Sequence, residues 1–253
     1  MKDDERPALP PFGDSAMFGT TANSERIAAL LQERHSSRRV MNYAVGGYGL
    51  GQIVLAVERS LPLLEAPDTF VGVLTSDLDR TVLEVRSGPK PVFGVERGVL
   101  VVRRDHLVQG PEEFFRSRSP NIISFVFART SLTFRRQVAT SRGTELTCKA
   151  EEKSEIARLL VGRLADVCQG HGCQVVLFQR QEELELEPGW REIALRDACA
   201  LADLPVIDTR EAFLTLATEN RYQTDRHPSA EANRQIALQL KASLPRERGG
   251  GHR

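Results

Sequence analysis

The sequence predicts an α/β protein built around a sheet of parallel strands. Two observations indicate this class: short apolar segments alternate with amphipathic helices along the chain, and each apolar segment ends where a loop begins. The chain has 253 residues, 41% of them hydrophobic, which is an ordinary size and composition for a folded domain. We therefore expect a single domain over residues 1–245, followed by a disordered glycine-rich tail at 246–253.

Five short segments are the strand candidates. They are Ala8 to Phe12, Val40 to Val45, Phe70 to Leu74, Gln174 to Phe178, and Pro205 to Ile207. The first is the weakest of the five because it contains two prolines, and proline removes a backbone donor from a sheet.

Amphipathic helices are predicted between and after these strands. They cover Ser24 to Glu33, Gln52 to Ser60, Lys153 to Cys168, Trp190 to Ala202, and Ala230 to Leu240. In the third helix, apolar residues recur at helical spacing, so one face should pack on the sheet. A stretch at about 79–145 breaks the alternation. We interpret it as an insertion beside the sheet that contains a hairpin over Val92 to Val102, turned at Glu96-Arg97-Gly98.

Charge and apolar runs argue against two classes of protein. The 34 basic and 34 acidic residues cancel, so no net charge favours binding to nucleic acid by phosphate neutralisation. No segment reaches the roughly 18 consecutive apolar residues of a membrane span. We therefore expect neither nucleic-acid binding nor a membrane span in this chain.

The N-terminal residues bear on location. Met-Lys-Asp-Asp-Glu-Arg lacks the apolar core of a signal peptide, which makes the cytoplasm the default expectation. The first motif nevertheless arrives by residue 13, with almost no strand before it. That position would also fit an exported or membrane-anchored parent protein that has been shortened at its N-terminus.

Four cysteines are too few for a disulfide scaffold, but two of them flank a histidine in Cys168-Gln-Gly-His171-Gly-Cys173. This composition is similar to part of a metal site. A closed zinc site needs four ligands, however, and no second half-site occurs elsewhere in the chain. We therefore interpret Cys168 and Cys173 as buried thiols and expect no bound metal.

A serine follows the first strand in the motif Gly13-Asp14-Ser15. In open α/β sheets, ligands bind at the carboxyl ends of the strands, so Ser15 lies where a nucleophile would be useful. The same residues are also typical of a turn or a helix cap, so this motif alone leaves both interpretations open.

A glycine-rich loop follows the second strand, from Asn42 to Gln52. Its glycines allow backbone amides to point at a negative oxygen, which suits either a phosphate or an oxyanion. The spacing Gly47-x-Gly49-x-Gly51 differs from the dinucleotide-binding pattern Gly-x-Gly-x-x-Gly. The acidic residue at the end of the next strand also lies further along the chain than that pattern requires. The nucleotide interpretation is therefore the weaker one.

The loop before the last helix contains Asp225-Arg226-His227-Pro228. A serine hydroxyl becomes a good nucleophile when an imidazole accepts its proton, and a carboxylate beside the imidazole fixes the tautomer. Asp225 and His227 could supply this pair, although the same residues could equally form the loop before a helix that begins at Pro228. Of the five histidines, His227 is the one that combines a carboxylate two residues away with a helix behind it.

Together, the three motifs resemble the SGNH (GDSL-type) hydrolases over nearly the whole chain, from Phe12 to about Leu244. The serine motif matches the first block of that family, Asn42 to Gly49 the second, and the Asp-His loop the fifth. The resemblance implies a three-layer α/β/α, flavodoxin-like fold with about five parallel strands and a shallow site at their carboxyl ends.

The resemblance also implies catalytic roles. Ser15 would be the nucleophile, His227 the general base and then the general acid, and Asp225 the carboxylate that orients the imidazole. The backbone amides of Ser15 and Gly47 would form part of the oxyanion hole.

Two features depart from the family's pattern. An asparagine normally completes the oxyanion hole in the third block, but this chain reads Thr75-Ser76-Asp77, so Ser76 takes that place. Only one residue separates Asp225 from His227, where two are common. Asp14 and Asp77 are expected as supporting residues.

The leading hypothesis is a serine-dependent esterase that acts through an acyl-serine intermediate on a small-molecule or carbohydrate ester. This chemistry needs no metal and no organic cofactor. One alternative is an O-acyltransferase that moves an acyl group, often acetyl, to a carbohydrate hydroxyl. The other is a degenerate, non-catalytic domain that binds a polysaccharide or a partner protein, and Ser76 motivates it.

Overall fold

Four parallel strands form the main sheet. In spatial order they are β2 (Pro11–Phe12), β4 (Asp68–Leu74), β7 (Gly172–Phe178) and β8 (Val206–Asp208). The structure is a computed structural model, and it describes residues 6–66, 68–83, 90–104, 107 and 148–244. All three pairings in this sheet are parallel, as the alternation of strands and helices predicts.

The first predicted strand is split at Pro10. Its first half, β1 (Ala8–Leu9), pairs in parallel with β3 (Arg39–Val40). Backbone hydrogen bonds continue this pairing beyond β3, because Tyr43 N donates to Pro11 O over 2.9 Å and Val45 N donates to Gly13 O over 2.9 Å. The predicted second strand, Val40 to Val45, is therefore regular only at its start and then follows the first strand as irregular backbone.

Helices cover both faces of the sheet. They are α1 (Ser15–Phe18), α2 (Ile27–Arg34), α3 (Leu50–Ser60), α4 (Asp77–Thr81), α5 (Ala150–Cys168), α6 (Trp190–Leu201), α7 (Arg210–Leu214) and α8 (Ala230–Ser243). The predicted helices correspond to α2, α3, α5, α6 and α8. Helices α1, α4 and α7 were not predicted because four or five residues are too few to show a helical period.

Alternate residues of the central strands belong to two separate hydrophobic clusters. Val71 and Val175 pack in one cluster with α3, α5 and α6. Phe70 and Val176 pack in the other with α2, α7 and α8. Because successive side chains of a strand point to opposite faces, this division places one helical layer on each side of the sheet. The three-layer α/β/α architecture is confirmed.

The predicted hairpin is confirmed as β5 (Val92–Glu96) and β6 (Val99–Arg103), which pair antiparallel. Its turn residues Arg97 and Gly98 both have positive φ angles, 52° and 78°, as a tight two-residue hairpin turn requires. Most of the predicted insertion at 79–145 and the predicted tail at 246–253 lie outside the described residues. The boundaries of the single domain remain a prediction.

The interpretation of Cys168 and Cys173 as buried thiols is wrong. Their sulfur atoms are bonded to each other, and their Cα atoms lie 5.7 Å apart. The short turn from α5 into β7 brings the two cysteines within the distance that a disulfide spans. His171 Nδ1, between them in sequence, donates to the carbonyl oxygen of Ala66 over 2.6 Å. Within the described ranges, no three His, Cys, Asp or Glu residues cluster as a metal site would require.

None of the described helices combines the length and the apolar character that crossing a bilayer needs.

Gly51 provides a test of how α3 packs against the hairpin. A Cβ added at Gly51 would lie 2.2 Å from Cε2 of Phe93, whose side chain is buried. We expect Gly51→Ala to lower the free energy of unfolding by about 1–3 kcal/mol, because the close-packed ring has to move. Urea unfolding followed by circular dichroism measures this change.

Gly162→Ala is the matched control for Gly51→Ala. Gly162 also lies in a helix, and an added Cβ there would meet nothing within 4 Å among the described residues. Helix propensity alone should raise its stability by up to about 1 kcal/mol. Equal effects of the two substitutions would contradict the packing of Gly51 against Phe93.

Candidate active site

Ser15 lies at the carboxyl end of β2, as the first residue of α1. The chain turns from strand to helix at Gly13, where φ is +152° and an added Cβ would lie 2.8 Å from Gly72 O of the neighbouring strand. Asp14 caps the helix, because its Oδ1 accepts from Ala16 N over 2.8 Å. Glycine at position 13 therefore allows the turn that presents Ser15 at the end of the sheet.

The glycine-rich loop lies beside Ser15. A Cβ added at Gly46 would stand 3.8 Å from Ser15 Cβ. Tyr48 N donates to Val45 O over 3.3 Å, which closes a turn in which Gly47 has a φ of +86°. A type II turn needs a positive φ at this third position, and glycine adopts it without strain.

Asn42 ties this loop to α1. Its Oδ1 accepts from Ala44 N over 3.0 Å, and its Nδ2 donates to Phe18 O over 3.3 Å. The asparagine that opens the glycine-rich motif therefore has a structural task, since it holds the loop against the helix that begins at Ser15.

Ser76 and Asp77 follow β4 at the same end of the sheet. Ser76 is half-buried, and its carbonyl oxygen accepts from Arg80 N over 3.2 Å at the start of α4. Asp77 is fully buried, and its Oδ2 accepts from Leu74 N over 3.0 Å. The Asp77 carboxylate thus fixes the bend that carries Ser76.

A buried arginine joins these three segments. Arg80 Nη1 lies 2.6 Å from Asp14 Oδ2 and 2.7 Å from Asp77 Oδ1, and it donates to Tyr48 O over 3.3 Å. Both carboxylates have no exposed side-chain area, and the Arg80 side chain is 8% exposed. Burial by itself lowers the pKa of the guanidinium, but the charges of Asp77 and Asp14 raise that pKa above its ordinary value.

Asp225 and His227 face each other in the loop before α8. Asp225 Oδ2 lies 3.1 Å from His227 Nδ1, and Asp225 Oδ1 accepts from His227 N over 3.1 Å. Gln223 closes the loop from both sides, because its N donates to His227 O and its carbonyl accepts from Arg226 N. Arg226 takes a left-handed φ of +68° in this turn. A carboxylate against Nδ1 favours the tautomer in which Nε2 is free to accept a proton.

The ionisation of Asp225 fits this arrangement. Partial burial acts to raise the pKa of its carboxyl group. Hydrogen bonds and the charge of His227, together with a hydrogen bond from Thr20, outweigh burial and lower the pKa below its ordinary value. The carboxylate therefore stays ionised beside the imidazole.

Hydrogen bonds hold this loop against the segment that follows α1. Gln223 Nε2 donates to Thr20 Oγ1 over 2.8 Å, next to the contact between Thr20 and Asp225. Asn233 Nδ2, on α8, donates to Thr21 Oγ1 over 3.3 Å and to Glu25 O over 3.0 Å. These hydrogen bonds hold the Asp-His loop and α8 against residues 20–25, a segment that follows Ser15 closely in the sequence.

The structure brings some of the predicted site residues into direct contact and leaves others apart. Asp225 contacts His227, and Asp14 and Asp77 share Arg80. The Ser15 hydroxyl donates to Asp14 Oδ2 over 3.4 Å, so among the described residues its hydrogen bond goes to Asp14 and not to His227.

Sequence reasoning missed Arg80, Thr20 and Gln223. The i,i+3 spacing of Asp77 and Arg80 could have indicated an ion pair on one helix face. No local sequence pattern predicts the contact between Thr20 and Gln223, which are 203 residues apart.

The two cysteines outside the disulfide are poor nucleophiles. Burial, followed by a hydrogen bond with Glu152, raises the pKa of Cys148 to about 11. Burial likewise raises the pKa of Cys199 to about 11, and its side chain is almost fully buried. Since the thiolate is the reactive form, neither thiol is a good nucleophile near neutral pH.

Several solved structures are similar to this chain. A lipase/acylhydrolase from Enterococcus faecalis is 12% identical, with a TM-score of 0.53 over 92% of this chain and 93% of that chain. LAE5, an α/β hydrolase enzyme from the metagenome of Lake Arreo, Spain, is 14% identical, with a TM-score of 0.54 over 93% and 94%. The psychrotrophic esterase EstA from Pseudoalteromonas sp., inhibited by monoethylphosphonate, is 11% identical, with a TM-score of 0.52 over 94% and 96%.

These likenesses establish the fold. A structure from the G-D-S-L family also matches, and these likenesses confirm the α/β fold expected from the sequence. No family model matches the sequence, and no curated protein matches it significantly.

The raised thiol pKa values predict slow alkylation of Cys148 and Cys199. At pH 8 we expect iodoacetamide to modify Cys148 roughly a hundredfold more slowly than an ordinary free thiol, because so little thiolate is present. The rate should rise about tenfold for each pH unit toward 11. Mass spectrometry of timed samples measures it, and urea-unfolded protein is the control that should react at both residues. Rapid modification of folded protein at pH 7 would contradict the raised pKa.

Proposed function

We propose that this protein is a serine-dependent ester hydrolase, with Ser15 as nucleophile, His227 as general base and Asp225 as the carboxylate that orients the imidazole. The observation that supports this best is the contact of 3.1 Å between Asp225 Oδ2 and His227 Nδ1, on a loop tied to Thr20. The nucleophile and the base thus lie on segments that contact each other at one end of the sheet.

In the first half of the reaction, Ser15 Oγ attacks the ester carbonyl carbon while His227 Nε2 takes the hydroxyl proton. The tetrahedral intermediate then collapses. The bond from carbon to the alcohol oxygen breaks, and the imidazolium returns the proton to the leaving alcohol, which gives an acyl-serine and a free alcohol. The Asp225 carboxylate, ionised through its contacts with His227, stabilises the imidazolium during these steps.

In the second half, a water molecule takes the place of the alcohol. His227 removes a proton from the water as its oxygen attacks the acyl carbon, and the same proton returns to Ser15 Oγ when the acyl bond breaks. The products are a carboxylic acid and the regenerated hydroxyl.

The negative charge that develops on the carbonyl oxygen needs hydrogen-bond donors. Ser15 N belongs to the first turn of α1, where backbone amides have no partner within the helix. Gly47 N lies in the turn beside Ser15. We assign the oxyanion hole to these two amides and to the Ser76 hydroxyl.

The similar solved structures support an ester hydrolase in general. They include a lipase/acylhydrolase and an esterase, and that esterase is inhibited by monoethylphosphonate. Phosphonates are therefore suitable probes for the nucleophile proposed here.

Ser15→Ala tests the nucleophile. We expect hydrolysis of an aryl acetate to fall by roughly four orders of magnitude or more, because the variant lacks the hydroxyl that is proposed to form the acyl intermediate. A fluorophosphonate probe should label Ser15 in the parent protein and should fail to label the variant. Ser24→Ala, an exposed serine in the turn before α2, is the matched control and should keep full activity.

Each other outcome has a definite meaning. Undiminished turnover by folded Ser15→Ala would disprove the mechanism. Folded parent protein that neither hydrolyses esters nor reacts with the probe would instead point to a non-catalytic binding domain. Labelling of Ser15 combined with acyl transfer to an added sugar, detected by product analysis, would identify an acyltransferase.

Ser76→Asn tests the third oxyanion donor. An asparagine amide reaches further than a serine hydroxyl, so we expect Ser76→Asn to raise kcat and Ser76→Ala to lower it by roughly ten- to a hundredfold. Steady-state kinetics on an aryl acetate, with thermal melting as the check on folding, measures both changes. If both variants keep the parental kcat, Ser76 takes no part in the oxyanion hole.

A further inference from the structure

We propose that Arg80 is a positioning residue for the nucleophile. By holding the Asp14 carboxylate, Arg80 leaves the Ser15 hydroxyl able to turn toward His227. This inference rests on the proposed function, because it concerns the same serine.

The geometry around Asp14 is the first support. Asp14 Oδ2 accepts from Arg80 Nη1 over 2.6 Å but from Ser15 Oγ only over 3.4 Å. Hydrogen bonds between two oxygens normally span about 2.5–3.0 Å, so the bond from Ser15 is weak and the charge-assisted bond from Arg80 is strong. The other carboxylate oxygen is occupied by Ala16 N. Asp14 therefore caps α1 without holding the hydroxyl firmly.

The burial of Asp14 is the second support. Its carboxylate has no exposed area, so removal of Arg80 would leave this buried charge without its cation. The Ser15 hydroxyl already points at the same oxygen. Without Arg80, that oxygen would draw in the Ser15 proton more strongly, and the hydroxyl would be less available to His227. The effect should appear in the chemical step and not in substrate binding.

The reach of Arg80 is the third support. The same guanidinium also contacts Tyr48 O in the glycine-rich loop and Asp77 beside Ser76. A Cβ added at Gly49 would lie 2.8 Å from Arg80 Cβ, so the loop and α4 are in close contact. Arg80 thereby sets the relative positions of the three segments that the oxyanion hole draws on.

The experiment compares Arg80→Met with Arg80→Lys. We expect Arg80→Met to lower kcat by a hundredfold or more with KM changed less than threefold, and Arg80→Lys to recover at least a tenth of the parental kcat. Titration with a fluorophosphonate should show that the same fraction of Arg80→Met molecules is labelled in the end, but at a rate lower by a similar factor. A purely structural role would instead lower the labelled fraction in proportion to the loss of kcat and leave the labelling rate of the folded fraction unchanged.

The substitution Asp14→Asn completes the test. It gives a second result that keeps the proposal testable if Arg80→Met alone folds poorly. In the Asp14→Asn background the side chain no longer carries a charge for Arg80 to hold, so the factor by which Arg80→Met lowers kcat should be at least tenfold smaller than in the parent protein, and the remaining loss comes from the contacts with Asp77 and Tyr48. An equal factor in the two backgrounds would overturn the proposal, as would a parental labelling rate in folded Arg80→Met. If the parent protein is not labelled at Ser15, the proposed function itself is disproved. This result is distinguishable from one that disproves only the role of Arg80.

Discussion

The ion-pair network of Arg80 with Asp14 and Asp77 is the interaction on which the rest of the candidate site depends. Two fully buried carboxylates are stable in a protein interior only when a cation and hydrogen-bond donors satisfy them, and removal of one partner from such a network typically costs about 3–5 kcal/mol. Here the cation lies between three loops that follow three different strands. The requirement to satisfy these charges therefore fixes the three loops relative to one another. Ser15, Gly47 and Ser76 lie on these loops, and each is partly exposed.

Close backbone packing imposes a second constraint on the same region. Gly13 follows β2, and Gly72 lies on the adjacent strand β4. A Cβ on Gly13 would collide with Gly72 O, and a Cβ on Gly72 would lie 2.8 Å from Met17 Cβ. The absence of both side chains lets α1 approach the sheet closely. Ser15 is thus presented by a four-residue helix that has little stability of its own and is held by its neighbours.

The elements that could be predicted from the sequence are those whose hydrophobic pattern extends over many residues. Helix α5 shows its apolar face over 19 residues, and β7 ends in the apolar run Val175 to Phe178, so both were found with small errors at their ends. The Asp225–His227 pair was also predictable because its contact is local. Arg80 was not, since its partner Asp14 is 66 residues away and only the folded sheet brings them together. Likewise, sequence spacing did not distinguish two free thiols from the bond between Cys168 and Cys173.

The contact between Thr20 and Gln223 has a consequence for how the chain acquires its site. A ribosome releases the segment of Ser15 early and the segment of His227 only after the whole sheet has been made. The helix that follows His227 contacts Thr21 and Glu25 through Asn233, 212 and 208 residues earlier in the chain. Helix α8 therefore holds together two segments that are far apart in the sequence. A chain that ends before residue 225 has the serine motif without the proposed base, and one cut before α8 has both motifs but lacks the contacts of Asn233 with Thr21 and Glu25.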